Sequence, residues 1–378
     1  MLVSPASQAR LNGIVRLARE RGWVLTLESD LSHPPRGWRG DGVISTLKDT
    51  SAFRSFVATL RKNSIPIVNA AGRGMDMGVP TVCGDDGQIG ALAAGHFAER
   101  RFQNVAWFSS KWGLVQRTRY DALAREWAAL GRSSERPPKF VWSERPKNLK
   151  KEDWQSFVAW LGDKIEATPK PLGIFAYSDY DAARVASACR EHGLDVPGEV
   201  AVLGVDNNPI ICENQVVPIS SVNHDLEKIG YKAAELLDRL MNGGRKPVAP
   251  LFVKPRGITV RRSTDTVAVG NPVLRAAMTF ISENIANPIG APQIAAGIGI
   301  SRLKLDRMFA KELGISVGRE IAHQRFAKAK LLLAGTKMTL AEIARETGFC
   351  NAAYLANVFK RETGLRPAKY RAQVKSGH

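Results

Sequence analysis

The chain has 378 residues, 44% of them hydrophobic and 24% charged, with a formal net charge of +18. That length and balance fit a water-soluble protein of two or three domains, and exclude a disordered chain or one buried in lipid. The first twenty residues lack a signal peptide's apolar run and no window reaches the roughly 18 apolar residues of a membrane helix, so a cytoplasmic location is expected.

From the start to about residue 262, short apolar strands alternate with amphipathic helical stretches. Strands are expected at 24–28, 42–45, 65–69, 105–108, 139–142, 172–177 and 200–205, and helices at 89–101, 119–130, 154–165, 181–193 and 226–243. This alternation predicts parallel sheets covered by helices, and so many units exceed one compact sheet, so two α/β lobes are expected. In such folds ligands lie at the carboxyl ends of strands. The turns there carry Asp85 and Asp86 in "VCGDDG", Asp179 in "YSDYD", and Asp206 and Asn207 in "LGVDNN". Two uses compete for these side chains. Asp86 and Asp179 are also placed to cap a following helix, whereas no obvious helix follows Asp206. The glycines of "AAGRGMDMG" (70–78) lack the lysine and frame of a phosphate loop and read as a flexible loop. Cys83, Cys189, Cys212 and Cys350 form no CxxC pair and have no histidine at zinc spacing. They read as reduced, mostly packed thiols, with no disulfide framework, metal or cofactor implied.

The polar stretch "RRSTDTVAVGNP", broken by Gly270 and Pro272, marks a domain boundary. It divides the chain into residues 1–262, a linker at 263–271 and an all-helical domain at 272–374. The charge is concentrated in the last part: residues 270–378 hold 17 Lys and Arg against 7 Asp and Glu, net +10, leaving +8 for the longer remainder. A basic module at one end is the footprint of a nucleic-acid partner.

That module contains a repeat. Ala295 and Gly299 recur 49 positions later as Ala344 and Gly348, and Phe309, Glu312 and Gly314 recur 50 positions later as Phe359, Glu362 and Gly364. A short helix, a glycine turn and a second amphipathic helix form the helix-turn-helix pattern. The second helix of each unit would lie in the major groove. Its base-facing residues would be Ser301, Arg302, Lys304 and Arg307 in the first unit, and Asn351, Ala352, Tyr354 and Asn357 in the second, with Tyr354 alternatively in the core. Lys360, Arg361 and Arg371 are assigned to phosphates, which position without specifying. A helix over 318–335, with Ile321, Phe326, Ala329, Leu332 and Leu333 inward, is expected to join the units rigidly, so that both reading helices meet successive groove faces.

The C-terminal stretch resembles the DNA-binding domain of AraC/XylS-type transcription regulators. Ile343, Ala344, Gly348, Phe349, Phe359, Lys360, Gly364, Pro367, Tyr370 and Arg371 fall on that pattern, and Ala295, Gly299, Ser301, Leu305, Arg307, Phe309 and Gly314 match it more loosely. Residues 198–243 resemble the effector domain of LacI/GalR-type regulators, which has a periplasmic-binding-protein fold. The combination is similar to the xylose-operon type of regulator, a family of activators that bind D-xylose between two lobes. This resemblance implies ligand roles for Asp85, Arg119, Asp179 and Asp206, with Asn207 beside them. It also implies a homodimer acting on operator DNA, with RNA polymerase as a further partner.

Sugar hydroxyls need such paired donors and acceptors, and aromatics such as Trp112 or Tyr180 would cover a ring face. Two departures stand out: "SPASQAR" lacks the Tyr-Asp-Arg-like stretch of that family, and the first strand is reduced to "MLV". The expected function is therefore a sugar-controlled transcription regulator, with a pure dimerisation or protein-partner module as the alternative for residues 1–262. An enzyme is the remote alternative, since nucleophile elbow, metal spacing and dinucleotide fingerprint are all missing.

Overall fold

A computed structural model of the chain describes residues 2–4, 7–28, 38–47, 50–71, 77–132, 135–150, 153–266 and 271–376. The described residues up to 266 form two α/β lobes. The first is built on four parallel strands in the order Thr26–Leu27, Leu2–Ser4, Val43–Ser45, Ile67–Asn69. The strand expected as a remnant therefore lies inside this sheet, paired on both sides. A separate parallel pair, Val82–Gly84 with Leu251–Val253, packs on the same core as helix Leu226–Met241.

Helices Gln8–Arg21 and Ser51–Lys62, which were not anticipated, complete the lobe. The first buries Ile14 and Leu17 in the core and meets helix Leu226–Met241 backbone to backbone. A Cβ on Gly13 would stand 1.9 Å from the Glu227 carbonyl oxygen, and one on Gly230 would stand 2.0 Å from that of Arg10. Glycine on both sides lets these helices touch, and the contact fixes where Arg10 begins.

The second lobe has a six-stranded sheet in the order Gly257–Thr259, Ser220–Asn223, Val200–Val205, Leu172–Ala176, Asn104–Ser109, Lys139–Val141, parallel except for Gly257–Thr259. Its central strands are buried on both faces and so read as continuous apolar runs. Helices Asp86–Glu99 and Leu114–Ala129 cover one face, and Trp154–Glu166 and Asp179–Glu191 the other. Strand Ser220–Asn223 escaped the sequence pattern because two of its three buried positions are serines. Ser220 and Ser221 satisfy their hydroxyls on the Arg261 carbonyl and the Asp179 carboxylate.

The backbone crosses between lobes near residues 85, 225 and 255. The crossings are tied together: Arg256 pairs with Asp225 at 2.9 Å, its backbone N–H reaches the Asn223 carbonyl, and the Asp85 N–H reaches that of Val253. Such a short bundle of element-terminal segments is a hinge geometry.

Ser263 and Thr264, placed in the linker by the sequence, are fully buried on the second lobe. Ser263 Oγ donates to the Val202 carbonyl, and Thr264 Oγ1 lies 2.8 Å from Nε2 of buried His96. Burial, reinforced by neighbouring Arg100, pushes the His96 pKa well below its ordinary value, so the ring is neutral.

Residues 271–376 are all helical: Pro272–Glu283, Ala291–Gly297, Arg302–Met308 continuing into a π-helical turn, Val317–Gly335, Leu340–Glu346, Ala352–Thr363 and Pro367–Ser376. There are two cores, one around Leu305 and Phe309 and one around Leu355 and Phe359. Val317–Gly335 serves both, giving Val317 and Ile321 to the first and Ala329 and Leu333 to the second. It is the rigid connection the sequence predicts.

Candidate functional site

Two sites are built, one in the cleft between the lobes and one on the helical domain. In the cleft, the strongest feature is a buried ion pair. Nε of Arg119 donates to Oδ1 of Asp86 at 2.7 Å, its Nη1 donates to the Tyr177 carbonyl, and the guanidinium stands over the Tyr177 ring at 4.9 Å. Burial is the largest influence and works against the Arg119 charge, but Asp86, Tyr177 and Asp206 together outweigh it and raise the pKa, so the cation is firmly held.

The neighbouring carboxylates divide differently from the sequence reading. Asp85, not Asp86, caps helix Asp86–Glu99, accepting from the Gln88 N–H at 2.9 Å and from Gln88 Nε2 at 2.8 Å. The capping role expected of Asp86 falls to Asp85, because the cap residue comes before the first helical turn.

Asp179 does not cap its helix either; Ser178 does. Asp179 is buried and accepts from Ser221 Oγ at 2.5 Å and the Asn208 N–H at 2.7 Å, which braces the turn carrying Asp206. Burial holds its pKa up at about 6 in spite of these hydrogen bonds. Asn207 is likewise committed within the lobe: its Oδ1 accepts from Arg261 Nη1 at 3.0 Å and its N–H donates to Ser221 Oγ at 2.9 Å. Both residues support the site from behind.

Asp206 itself is presented. It sits at φ 107° in a turn with Asn207 at φ 53°, and the following short helix Pro209–Glu213, unforeseen from the sequence, is capped by Asn208. Its Oδ1 lies 3.1 Å from Nδ1 of His224, and its side chain stays 36% exposed. The other edge of the His224 ring rests on the hinge: a Cβ on Gly84 would stand 1.8 Å from Nε2.

The first lobe contributes residues the sequence reading missed. Among the described residues, five buried side-chain polar atoms have no partner: Arg10 Nε, Ser45 Oγ, Thr46 Oγ1, His224 Nε2 and Arg275 Nε. Four of the five belong to residues at the carboxyl ends of strands or, for Arg10, to the first turn of the helix that follows one. Their only sequence signal was the basic residue in the first turn after the first strand. Of the two suggested aromatics, Trp112 is packed on Trp107 and Tyr120, and Tyr180 is 70% exposed.

A separate depression of about 340 Å3 on the outer flank, lined by Pro66, Val79 and Leu240, has Arg61 and Lys246 on its rim. Those cations already bind the carbonyls of Met77 and Gly78, so it lacks the convergent free polar groups of a sugar site. The stretch 70–78 lies largely outside the described residues. Among the described residues, no group of His, Cys, Asp and Glu could hold a metal ion, and no helix is long and apolar enough to cross a membrane.

On the helical domain both units have the expected form. Gly299 and Gly348 adopt φ 70°, the left-handed turn that favours glycine, and Ala295 and Ala344 are buried where the paired helices meet. The extra residue of the second copy lies in this turn, between Gly348 and the cap Asn351.

Arg302, Lys304 and Arg307 are exposed on the first reading helix, and Tyr354, Asn357, Lys360 and Arg361 on the second, with Ala352 half-buried. Tyr354 is 51% exposed, so it is not a core residue. Ser301 and Asn351 are the N-caps, accepting from the N–H groups of Lys304 and Tyr354, and their side-chain oxygens are already engaged. Arg302 pairs with Asp306 and Arg361 with Glu362. Arg371 is a correction: Nε donates to the Leu333 carbonyl at 3.0 Å and Nη2 to that of Met338 at 2.6 Å, so it clamps the fold rather than reaching for phosphate. Leu303, 60% exposed on the first reading helix, was overlooked, although an apolar residue on a polar face suits a thymine methyl.

Comparison with known proteins agrees with the two kinds of domain. A periplasmic binding protein-like domain model matches residues 94–264, and a helix-turn-helix domain model matches residues 294–373. The xylose operon regulatory protein of Escherichia coli K12 is 27% identical over 361 residues, spanning 94% of this chain and 90% of that protein. The corresponding protein of Haemophilus influenzae Rd is 30% identical over 220 residues, 58% of this chain and 56% of that protein. In fold, the chain is similar to the xylose-binding transcription activator XylR, with a TM-score of 0.62 and 24% identity, covering 98% of this chain and 97% of that one. The chain is a DNA-binding transcription regulator, not an enzyme, in which a two-lobed periplasmic-binding-protein-like domain precedes a C-terminal helix-turn-helix domain, the composition of the xylose operon regulatory proteins it matches.

Proposed function

We propose that this regulator is controlled by a small sugar held between its lobes, with D-xylose the first candidate, and that it acts in the cytosol as a homodimer that activates sugar-catabolic genes. The observation that carries this reading is the placement of Asp86, paired with Arg119 of the neighbouring helix, and of Asp206 just beyond strand carboxyl ends around a tied hinge. Fixed charged groups there offer the donors and acceptors a polyol needs. The identity of the sugar is taken from the relatives, whose names include xylose.

In the proposed mechanism the sugar bridges the lobes, bends the three crossing segments and so changes how two copies present their reading helices. A ligand can do this only by binding one arrangement better than the other. Arg302, Lys304, Arg307, Asn357 and Tyr354 would meet base edges, with Lys360 and Arg361 on phosphates. An activator of this kind also meets RNA polymerase.

The test is DNA affinity. Duplexes selected by the full chain from a random pool are titrated by fluorescence anisotropy with and without D-xylose. A change of about fivefold or more in Kd, the usual lower range of allosteric coupling, supports the reading. Identical affinities with every pentose and hexose would remove the sugar from the mechanism.

A further inference from the structure

Arg10 is a first-lobe cation that feels Asp206 and Tyr177 of the second lobe, and it is poorly compensated. Its residue is only 9% exposed, its Nε has no hydrogen-bond partner, and its carbonyl is wedged against Gly230, which prevents the helix from shifting to let it out. The carboxylate that attracts it most is Asp206 on the second lobe, with which it forms no ion pair; Asp206 instead touches His224. Burial lowers the Arg10 pKa even against the attraction of Asp206 and Tyr177, the signature of a desolvated charge still short of partners. A structural arginine in this fold looks different: Arg119, equally buried, spends its donors on Asp86 and the Tyr177 carbonyl.

We propose that Arg10 is an effector-binding and specificity-determining residue, and that with Asp206 across the cleft it selects an uncharged polyol. The assignment rests on the sugar-controlled reading above and narrows it. Arginine only donates and an ionised carboxylate only accepts, so the group between them must do both. A hydroxyl, or two neighbouring hydroxyls, does so. A carboxylate or phosphate would satisfy Arg10 but would face Asp206, with Asp85 and Asp86 already occupying the nearby helix N-terminus. The Thr46 hydroxyl, also buried and unpartnered on the first lobe, offers a second contact for the same ligand. Because Arg10 and Asp206 belong to different lobes, satisfying both draws the lobes together.

The test uses the full chain and the variants Arg10→Met and Arg10→Lys. Each is titrated calorimetrically with D-xylose, L-arabinose, D-ribose, D-glucose and the acid D-xylonate, and its unliganded thermal midpoint is recorded. Loss of a charge-assisted hydrogen bond predicts binding of the preferred neutral sugar roughly 10- to 100-fold weaker in Arg10→Met. Arg10→Lys, which keeps the charge but not the fork, falls between. The unliganded midpoint of Arg10→Met is unchanged or rises by about 2–4 °C, because an unpaired buried charge has been removed.

Three results would overturn the assignment: neutral-sugar binding by Arg10→Met equal to that of the wild type, an unliganded midpoint that falls by several degrees, or D-xylonate bound more tightly than any neutral sugar. Wild-type binding to no member of the panel would instead sink the sugar-controlled reading itself, and this inference with it.

Discussion

The cleft and the DNA-reading helices use polar residues in opposite ways. In the cleft, Arg119, Asp86 and Asp179 are buried while Asp206 is half-buried, and each is defined by a partner from another segment: Arg119 by Asp86, Asp179 by Ser221, Asp206 by His224. On the helical domain the functional side chains are exposed, and what is buried is the apolar frame of Leu305, Phe309, Leu355 and Phe359 that aims them. The difference means that a change in the cleft alters stability and binding together, whereas the reading face can be changed at little cost to the fold.

The largest expected effect attacks the frame. Phe359→Ala opens the second core and costs about 3–5 kcal/mol, so the helical domain unfolds earlier while the effector domain keeps its own transition. Calorimetry that resolves the two transitions checks this; a single merged shift would mean the domains are not separable in this way.

Next comes Arg119→Met, which leaves Asp86 buried without its cation. A loss of about 3–5 kcal/mol is expected, partly restored by adding Asp86→Asn. Denaturant unfolding of the single and double variants measures the coupling.

A pH series sharpens the contrast further. Asp179 has its pKa raised from 3.8 to about 6 by burial, so over that interval the folded state holds a proton the unfolded chain has released. Its contribution is fully present below about pH 4 and is lost as the pH rises through 6, by at most about 3 kcal/mol. Urea midpoints across this range should show the falling component in the wild type, and Asp179→Asn should remove it.

The smallest effects belong to the reading face. Arg307→Ala should cost about 1–3 kcal/mol of affinity for selected DNA and relax preference at one base position. Lys360→Ala should weaken all sequences alike and lower the salt slope by about 1. Neither should move the thermal midpoint measurably, since both side chains are exposed. If Lys360→Ala changed sequence preference, its assignment to phosphate would be wrong.

This contrast also explains what the sequence made legible. The helix-turn-helix units could be read because Ala295, Gly299 and Phe309 recur at near-constant spacing, and local spacing fixes both core and exposed face. Parallel strands such as Val200–Val205 were legible as apolar runs, while Ser220–Asn223 was hidden by buried serines whose partners come from other segments. In the cleft, the sequence placed Asp85, Asp86, Asp179 and Asp206 in the right turns. It could not separate Asp85 the cap from Asp86 the ion-pair partner, because adjacent residues differ only in three-dimensional direction. Arg10 left only the weak signal of a basic residue in the first turn after the first strand, because its position depends on the contact of Gly13 and Gly230 with the facing helix.

The most direct test of sugar control is the thermal midpoint of the full chain with and without pentoses and hexoses, compared with Asp206→Ala. A ligand that binds only the folded state raises the midpoint with occupancy. The account predicts a clear, saturable rise with a neutral sugar, D-xylose first, that disappears in Asp206→Ala. A midpoint unmoved by every sugar, or a rise that survives unchanged in Asp206→Ala, would contradict it.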